Sequence, residues 1–577
     1  MKKHYETHVE DTDKLISVAG PVLDYKSWYE QYRKLMEEQA QRKYGLYTPT
    51  SEGDDDDFPS IPGMIARYSA LGLTNEQMAA NPVWVDKTGN GHDLQMKNFA
   101  WEEGSGISDI YPGALVFDGV DDYGTCDNFP ILTKEKGYTV VALRSYLAKS
   151  IGYLVYNGTN AKQSAFAFER SDSLDTWSWG KNSSIRNLLP KLMSYQTSNS
   201  YNNNPISTGE VVESNNIINV AYRGGYCNVA IWELVFLDHD ATEEELTKIK
   251  DYFVKTYPWL FPDQAWTVTG KTNEDEDRAT IANITGNGNN LVLSNFGFAE
   301  GSGYGLYAEN YNGGRWVQST DRADLTWTSY SVNITSVKVA STQLYYQSYP
   351  EQPSFTVPSY KIKVYGLKDG QTLSYRQVTS EGQQLYEISE DGTYTLPSFP
   401  FKANGDWYGF TLNKVQESCD ITIEQIPEYE GYLITDGVDD KAVSKQFKFG
   451  ENFTVILDFK FPVKKISYCG FDLSSKVRIQ NIQGSGVYVV LKGNKTLIPS
   501  NVVRAVTSEG KVYDENWNEY NIVPGNISSN YTMVNLGFDG SNQFAESATK
   551  LAGIYSSTLS KDDCIKAYNY LQTLKSK

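Results

Sequence analysis

Apolar and polar residues alternate with a period of two through much of this chain, in short runs that end at turn residues. Residues 360–364 read Tyr-Lys-Ile-Lys-Val, and the apolar run at 114–117 stops at an Asp-Gly pair. Such runs between turn signals are typical of antiparallel sheet, in which alternate side chains face the core and the solvent. The pattern predicts a mainly β protein, and the abundance of Tyr (42) and Gly (46) agrees with this fold class.

Residues 1–47 follow a different pattern, with helical spacing. Their apolar stripe includes Trp28, Tyr32, Leu35 and Met36, and the opposite face is charged. We interpret this segment as an N-terminal helical anchor that docks on a larger assembly or associates with itself. The alternative is a helix that packs on the domain following it in the same chain.

The remainder of the chain contains one module twice. Thr-Gly-Asn-Gly at 88–91 recurs at 285–288, an offset of 197 residues, and Asp-Gly-Val-Asp-Asp at 118–122 recurs at 436–440, an offset of 318. The larger offset persists to two closing helices, headed by Thr242 and by Ser560. A repeat of this long period indicates duplicated domains, and the growth in offset predicts a domain inserted into the second copy.

These patterns divide the chain into five parts. Residues 48–63 contain four consecutive aspartates and three prolines, which predict an extended linker. The predicted parts are the anchor at 1–47, the linker at 48–63, the first module at 64–262, the second module at 263–313 and 428–577, and the inserted β domain at 314–427.

Two segments of the first module resemble a known fold. Residues 84–94 and 114–123, the second with its Phe-Asp-Gly-x-Asp-Asp turn, resemble the concanavalin A-like, laminin-G type of jelly roll. The second copy departs from this pattern at 433–435, where Leu-Ile-Thr replaces Leu-Val-Phe. The resemblance implies two jelly-roll sandwiches. The insert carries Glu-Asp-Gly-Thr-Tyr at 390–394, which resembles the tyrosine corner of Greek-key sandwiches, and we expect an immunoglobulin-like β-sandwich there.

The whole arrangement resembles structural proteins of tailed phages that infect gut Bacteroidetes, the crAss-like phages among them. The shared features are a short N-terminal anchor, laminin-G modules and a β insert whose joint reads Ile-Glu-Gln-Ile-Pro at 423–427. The resemblance implies a head or tail fibre or a capsid decoration, made in the host cytoplasm and carried on the virion. Its expected partners are other virion proteins bound through the N-terminal segment, further copies in a dimer or trimer, and host-surface polysaccharide.

Charge and cysteine usage exclude several other functions. A net charge of −19 argues against nucleic acid as a partner, because phosphate recognition requires a basic face. The five cysteines are scattered, which indicates reduced structural thiols rather than disulfides or a zinc site. No apolar segment follows the basic N-terminal residues, and the longest apolar run contains Glu233, so we expect neither a signal peptide nor membrane insertion.

No catalytic group stands out in the sequence. The histidines His4, His8, His92 and His239 have no nucleophile motif beside them, which a Ser-His-Asp device requires. Glycosidases place two carboxylates across a cleft, and no strand here alternates acidic residues in that way. We therefore expect no catalytic residue and no cofactor. A polysaccharide-active enzyme, a glycosidase or depolymerase on a jelly-roll scaffold, is the alternative function.

Four aspartates in equivalent turns are the candidates for calcium ligands: Asp121, Asp122, Asp439 and Asp440. Laminin-G folds often hold calcium at a rim loop, and calcium requires several oxygen ligands from converging loops. The competing interpretation, which we favour, is that the Asp-Gly pairs only build hairpin turns.

Three tryptophans are the candidates for glycan binding. Trp177 and Trp179 are two residues apart among polar neighbours, which predicts that both indoles face the same side of a strand. Trp517, between two asparagines, is the parallel in the second module. Aromatic faces beside amides suit the C–H faces and hydroxyl groups of sugars. The alternative for each indole is a place in the sandwich core.

Overall fold

The computed structural model describes residues 57–160, 163–173, 175–179, 192–206, 214–299, 302–305, 317–319, 321–328, 331–348, 356–357, 359–368, 370–397, 399–400, 405–426, 429, 431–461, 469–474, 476–482, 486–500, 502–526, 531–540 and 544–576. The predicted anchor at 1–47, with Trp28, Tyr32, Leu35 and Met36, lies outside the described residues. Within them, 57–107 with 114–252 form one compact unit, and 108–113 with 253–576 form another. The fold is mainly β and built from antiparallel sheets, as the alternating pattern predicts.

Two sheets enclose the core of the first unit, which we call the first sandwich. Their strands are β1 (Met64–Ser69), β2 (Val83–Trp84), β3 (Leu94–Lys97), β4 (Gly106–Ser108), β5 (Ala114–Asp118), β6 (Tyr123–Cys126), β7 (Thr139–Tyr146), β8 (Tyr153–Asn160), β9 (Gln163–Arg170), β10 (Trp177–Ser178), β11 (Met193–Thr197), β12 (Ser200–Tyr201), β13 (Asn204–Pro205), β14 (Ile218–Val220) and β15 (Asn228–Leu237). One sheet has the order β13-β12-β11-β7-β15-β5-β4, with β1 paired to β15, and the other has the order β10-β9-β8-β14-β6-β3-β2. Inward side chains such as Phe117 and Ala142 from one sheet meet Leu154 and Phe166 from the other.

The second sandwich has its own pair of sheets in the second unit. Their strands are β16 (Gln264–Thr267), β17 (Thr280–Ile281), β18 (Leu291–Ser294), β19 (Gly303–Tyr304), β32 (Leu433–Asp436), β33 (Lys441–Ser444), β34 (Phe447–Lys448), β35 (Thr454–Lys460), β36 (Cys469–Leu473), β37 (Val477–Ile482), β38 (Gly486–Leu491), β39 (Asn494–Ile498), β40 (Val502–Thr507), β41 (Lys511–Tyr513), β42 (Glu519–Asn521), β43 (Tyr531–Thr532), β44 (Val534–Leu536) and β45 (Glu546–Tyr555). The sheet orders are β19-β32-β45-β35-β40-β41-β42, with β16 paired to β45, and β17-β18-β33-β44-β36-β37-β38-β39; β34 pairs separately with β43. Strand for strand, the two main sheets repeat those of the first sandwich, with β39 added at one edge and the β34–β43 pair as a further addition.

Three α-helices accompany the sandwiches in the part of the chain that the structure describes. They are α1 (Asn75–Ala80), α2 (Glu243–Thr256) and α3 (Lys561–Gln572), and a short 3₁₀ turn covers Pro258–Leu260. The predicted caps are confirmed. The Thr242 hydroxyl accepts the N–H of Glu245 (3.3 Å), whose carboxylate accepts the N–H of Thr242 (2.8 Å), and the Ser560 hydroxyl accepts the N–H of Asp563 (3.1 Å). Among the described residues, no helix combines the length and the apolar character of a membrane span.

The inserted domain also consists of facing sheets. Its strands are β20 (Val317–Gln318), β21 (Ala323–Trp327), β22 (Ser331–Val337), β23 (Gln343–Ser348), β24 (Thr356–Val357), β25 (Tyr360–Tyr365), β26 (Leu373–Thr379), β27 (Gly382–Ile388), β28 (Gly392–Leu396), β29 (Phe399–Pro400), β30 (Trp407–Leu412) and β31 (Ile421–Ile426). One sheet runs β20-β23-β30-β26-β27 and the other β21-β22-β31-β25-β28, while β24 pairs with β29. The Tyr394 hydroxyl donates to the Glu390 carbonyl (2.7 Å), which is the bond that a tyrosine corner makes.

The point of insertion is a hairpin at the edge of a sheet. In the first sandwich, residues 109–113 join β4 to its neighbour β5. In the second sandwich, β19 and β32 are the equivalent neighbours, and residues 305–432 take the place of that short turn. The Gly305 N–H donates to the Tyr432 carbonyl (2.8 Å), so the two ends of the insert leave the sheet side by side. The insert therefore interrupts the sequence of the second sandwich without interrupting its sheet.

The first sandwich begins before the boundary predicted at residue 64. The Phe58 ring meets the Tyr252 ring edge-on at 4.7 Å, and the Arg67 guanidinium lies 4.1 Å from the centre of the Phe58 ring. Ile61 is buried. These apolar side chains attach the end of the predicted linker to the sandwich, because leaving them in water would cost more than ordering the chain.

Candidate functional site

The repeated Asp-Gly-Val-Asp-Asp motif builds the same turn in both sandwiches. In the first, Oδ1 of Asp118 accepts the N–H groups of Val120 (2.7 Å) and Asp121 (3.3 Å), and Oδ2 of Asp122 accepts the N–H of Asp118 (3.0 Å). Asp436 and Asp440 make the corresponding bonds in the second sandwich, at 2.8, 3.3 and 2.9 Å. The motif is thus used to fix the backbone where β5 and β32 end.

The calcium candidates lie in these turns. Asp118 groups with Asp121 and Asp122, and Asp436 groups with Asp439 and Asp440, in each case with one carboxylate oxygen per residue within 4.8 Å of the others. Burial raises the pKa of Asp122 and of Asp440 to about 6. Asp118, Asp122, Asp436 and Asp440 each accept at least one backbone N–H, so turn formation accounts for these four acidic residues without an ion.

The predicted indole pair is not an exposed platform. Trp177 and Trp179 are 2% and 1% exposed, and they belong to different apolar clusters. Trp177 packs against Tyr153 (5.1 Å between ring centres), whereas Trp179 meets Tyr138 (5.6 Å) in the core between the sheets. The two indoles do not share a face because β10 ends at Ser178 and Trp179 has a φ of 48°, which turns the chain. No sugar ring can stack on side chains buried in this way.

Trp517 lies in the turn between β41 and β42 and is half-buried. Its ring meets those of Tyr513 (6.1 Å) and Tyr568 (5.8 Å), the latter on α3. The turn is held by Asp514, whose carboxylate accepts the N–H groups of Asn516 and Asn518, both at 2.9 Å. Of the three predicted tryptophans, Trp517 is therefore the one with ring surface open to solvent.

A cleft of about 560 Å³ opens on the outer face of the first sandwich, between β11, the β12–β13 turn and the first half of α2. We call it the β11–α2 cleft. Its lining combines one aromatic ring with amide, hydroxyl and charged groups: Met193, Tyr195, Thr197, Ser200, Asn202, Asn203, Asp240, Ala241, Glu243, Leu246, Thr247 and Lys250.

Strand β11 directs its less polar side chains outward into this cleft. Ser194 and Gln196 are fully buried on the inner face, where the Gln196 amide donates to the Tyr138 hydroxyl (2.6 Å) and to the Trp177 carbonyl (2.9 Å). Alternation along the strand then places Met193 and Tyr195 on the outer face. The inward direction of Ser194 and Gln196 is set by these long-range bonds, so the sequence alone gives no signal for this site.

Fixed polar groups surround Tyr195. Its N–H donates to the side-chain oxygen of Asn202 (2.9 Å), which joins β11 to the β12–β13 turn. Asp240 accepts the N–H and the hydroxyl of Ser198, both at 2.8 Å, and the amide of Asn199 at 2.5 Å. Burial, with the nearby charge of Glu243, raises the pKa of Tyr195, so its hydroxyl stays protonated and can donate a hydrogen bond.

Three buried carboxylates of the sandwiches are paired with arginine. Arg144 contacts Glu169 at 2.6 Å, Arg67 contacts Glu233 at 3.1 Å, and Arg504 contacts Asp458. Burial alone would raise the pKa of Glu169, but the charge and hydrogen bonds of Arg144 lower it below its usual value. A carboxyl group held in its ionised form is unsuited to act as the general acid of a glycosidase.

No model of a protein family matches this sequence, and comparison with curated proteins returns no match. Solved structures give weak likenesses. Trypanosoma rangeli sialidase in complex with sialic acid is 11% identical over 40% of this chain and 39% of its own, with a TM-score of 0.25. The binding domain of botulinum neurotoxin DC in complex with rat synaptotagmin II is 10% identical over 64% of this chain and 95% of its own, with a TM-score of 0.24. The chain thus spans about two-fifths of the sialidase, and neither likeness assigns it a family or an activity.

Proposed function

We propose that this chain is a non-enzymatic display protein, a fibre or decoration of a phage virion, whose first sandwich binds host-surface glycan. The observation that carries the binding role is the β11–α2 cleft, where Tyr195 faces outward beside Asn202 and Asn203. The virion setting rests on the resemblance of the sequence to structural proteins of crAss-like phages. In this proposal the two sandwiches are concanavalin A-like, laminin-G jelly rolls, and the insert is an immunoglobulin-like sandwich.

The chemistry of the cleft suits a saccharide. A tyrosine ring offers an apolar face for sugar C–H groups, and the amides and the Tyr195 hydroxyl provide hydrogen bonds at its edge. The backbone of Tyr195 is fixed by the sheet and by its N–H bond to the Asn202 side chain, so the strand that carries the ring need not reorder on binding. Because there is one aromatic surface in a partly open cleft, affinity per copy is weak, and many copies on one particle supply the adhesion.

The alternative function, a glycosidase or depolymerase, has one observation in its favour: Asp240 and Glu243 both line the cleft. A retaining or inverting glycosidase requires a pair of carboxylates. Against this role, both oxygens of Asp240 are occupied by hydrogen bonds from Ser198 and Asn199 that attach β11 and β12 to the start of α2. Release of reducing ends from capsular polysaccharide by the purified chain would establish the enzyme instead.

The binding proposal is tested by Tyr195→Ala. We expect adhesion of particles that display the chain to glycan-coated surfaces to fall at least tenfold, with the thermal transition of the first sandwich nearly unchanged. Tyr365→Ala is the matched control, because Tyr365 is 40% exposed on β25 of the inserted domain and does not line the cleft. Undiminished adhesion of the Tyr195 variant would remove the cleft from the proposal, and unfolding of the first sandwich would make Tyr195 a packing residue.

The anchor proposal concerns residues 1–47. Because Phe58 and Ile61 belong to the first sandwich, a chain that begins at Asp57 should fold normally. We expect this shortened chain to fail to incorporate into particles, as measured by its amount in purified virions. Normal incorporation would contradict the assignment of Trp28, Tyr32, Leu35 and Met36 to an assembly contact.

A further inference from the structure

The strand β27 of the inserted domain is a long, exposed sheet edge. Its seven residues pair with β26 in unbroken register, from Leu373–Ile388 to Thr379–Gly382. The strand ends the order of its sheet, and Leu385 is 50% exposed. In an antiparallel hairpin that closes at the Thr379–Gly382 pair, alternate residues point their backbone groups away from the partner strand. Those residues are Gln383, Leu385 and Glu387.

The other sheet edges in the described part of the chain are short, interrupted or covered. The strands that end the remaining sheet orders have five residues or fewer. β39 carries Lys495, β13 contains Pro205, and β21 has a bulge at Asp324–Leu325. β1 is longer, but it is buried, and the Lys87 N–H bonds to its outer edge at the Arg67 carbonyl (2.7 Å). These are the devices by which proteins prevent edge-to-edge association, and β27 has no proline, no lysine and no bulge.

The sequence of β27 is compatible with pairing to itself. A two-fold axis through Leu385 would place Leu385 opposite its own copy and Gln383 opposite Glu387. Glu387 is the one charged residue of the strand, so no like charges meet, and a carboxylate faces an amide that can donate to it. The outward backbone groups of the three residues would then form ladder hydrogen bonds with those of the second copy.

We propose that two copies of this chain associate through β27, so that their five-stranded sheets join in antiparallel fashion into one continuous sheet. The occupant of the edge is a second copy of the same chain. The proposal is independent of glycan binding, since it concerns the inserted domain and not the β11–α2 cleft.

Two substitutions of Leu385 that introduce opposite charges test the proposal in the full chain. We expect the wild type to sediment as a dimer, and both Leu385→Lys and Leu385→Glu to weaken dimerisation at least tenfold, because each variant places two like charges in contact. An equimolar mixture of the two variants should recover the dimer. Leu497→Lys is the control, since Leu497 is 48% exposed on β39 and already neighbours Lys495.

A cross-link provides a second measurement that does not depend on charge. Leu385→Cys should form a covalent dimer on mild oxidation, while the wild type should not, because four of its cysteines are buried and the Cys419 thiol bonds to the Ile334 carbonyl. Leu497→Cys should remain a monomer on a denaturing gel. A monomeric wild type at all accessible concentrations, or a Leu385→Lys variant that dimerises like the wild type, would overturn the proposal.

Discussion

The two sandwiches share their strand order but differ on the sheet face beneath the closing helix. The Thr139 hydroxyl donates to the His239 carbonyl (2.7 Å), and the Thr454 hydroxyl donates in the same way to the Ser557 carbonyl (2.9 Å). Thr139 on β7 therefore corresponds to Thr454 on β35. From this register, Tyr195 on β11 corresponds to Ala505 on β40.

In the second sandwich this face is closed by aromatic packing. Lys250 of α2 corresponds to Tyr568 of α3, and the Trp517 ring lies against Tyr568 and Tyr513. The turn that carries Trp517 is also longer, at residues 514–518 against 202–203 in the first sandwich. Duplication therefore left one copy with an open cleft and the other with a packed one. The strand framework does not determine which face receives a ligand; the residues at a few outward positions do.

The largest expected difference between the sandwiches concerns their ion pairs. Glu169→Ala removes the partner of Arg144, which is 1% exposed, and should destabilise the first sandwich by about 3–5 kcal/mol, because a buried charge is left uncompensated. Asp458→Ala should cost the second sandwich less, since Arg504 is 17% exposed and retains water. Thermal unfolding with hydrogen exchange resolved by residue would measure both losses, and equal losses would contradict the distinction.

A smaller loss of stability is expected from removing the aromatic packing beneath α3 in the second sandwich. Trp517→Ala should destabilise the second sandwich by about 1–2 kcal/mol, less than the ~3–5 kcal/mol of a fully buried ring, because Trp517 is half-buried. Adhesion to glycan should not change. Urea unfolding and the particle adhesion assay separate the two outcomes: reduced adhesion with unchanged stability would restore Trp517 as a sugar platform.

The acidic turns of the two sandwiches should contribute alike to the dependence of stability on pH. Burial raises the pKa of Asp122 and Asp440 to about 6, above the usual value of 3.8. Their ionisation therefore lowers the free energy of unfolding, fully above about pH 6 and not at all below about pH 4. Asp122→Asn and Asp440→Asn should each stabilise the protein by about 1 kcal/mol at pH 8 and have no effect near pH 3.5.

Thermal transitions across this pH range provide the measurement for both variants, with the exposed Asp121→Asn as the control. If calcium raises the transition of the wild type but not of the two buried-site variants, the acidic turns hold a metal ion, and the turn interpretation is incomplete.

The smallest effect on stability is expected from removing the inserted domain, which makes the second sandwich as short as the first. Replacing residues 305–432 by the turn sequence of 109–113 should change the stability of the second sandwich by about 1 kcal/mol or less, because loop length affects closure entropy only weakly. The excised domain should give a cooperative thermal transition of its own, since its core is self-contained. A second sandwich that unfolds without the insert would show that the two depend on each other.

The sequence was sufficient for the β class, the helix caps and the repeated turn because turn residues and caps act locally. Thr242 and Ser560 begin their helices as predicted, and the repeated Asp-Gly motif forms the same turn twice. These features depend on neighbours within a few residues, and a one-dimensional pattern records such neighbours directly.

The glycan candidates were harder to predict because burial depends on distant strands. Trp177 and Trp179 have polar neighbours in sequence, yet Tyr153 of the same sheet packs on Trp177 and Tyr138 packs on Trp179. The φ of Trp179 also breaks the alternation that their spacing implied. Tyr195 was missed for the same reason. Its exposure depends on Gln196 bonding to Tyr138 and Trp177 across the core, a contact that no local pattern indicates.

The hairpin position of the insert has a mechanical consequence. Both of its connections leave from β19 and β32, whose ladder consists of the Gly303–Ile434 and Tyr304–Leu433 pairs. Tension applied through the insert would separate these strands from one end, so their hydrogen bonds would break in succession rather than together. We expect this joint to open at low force and close again while the core stays folded, as optical-trap pulling on the inserted domain would show. A chain built in this way would yield at the joint under shear without losing its sandwiches.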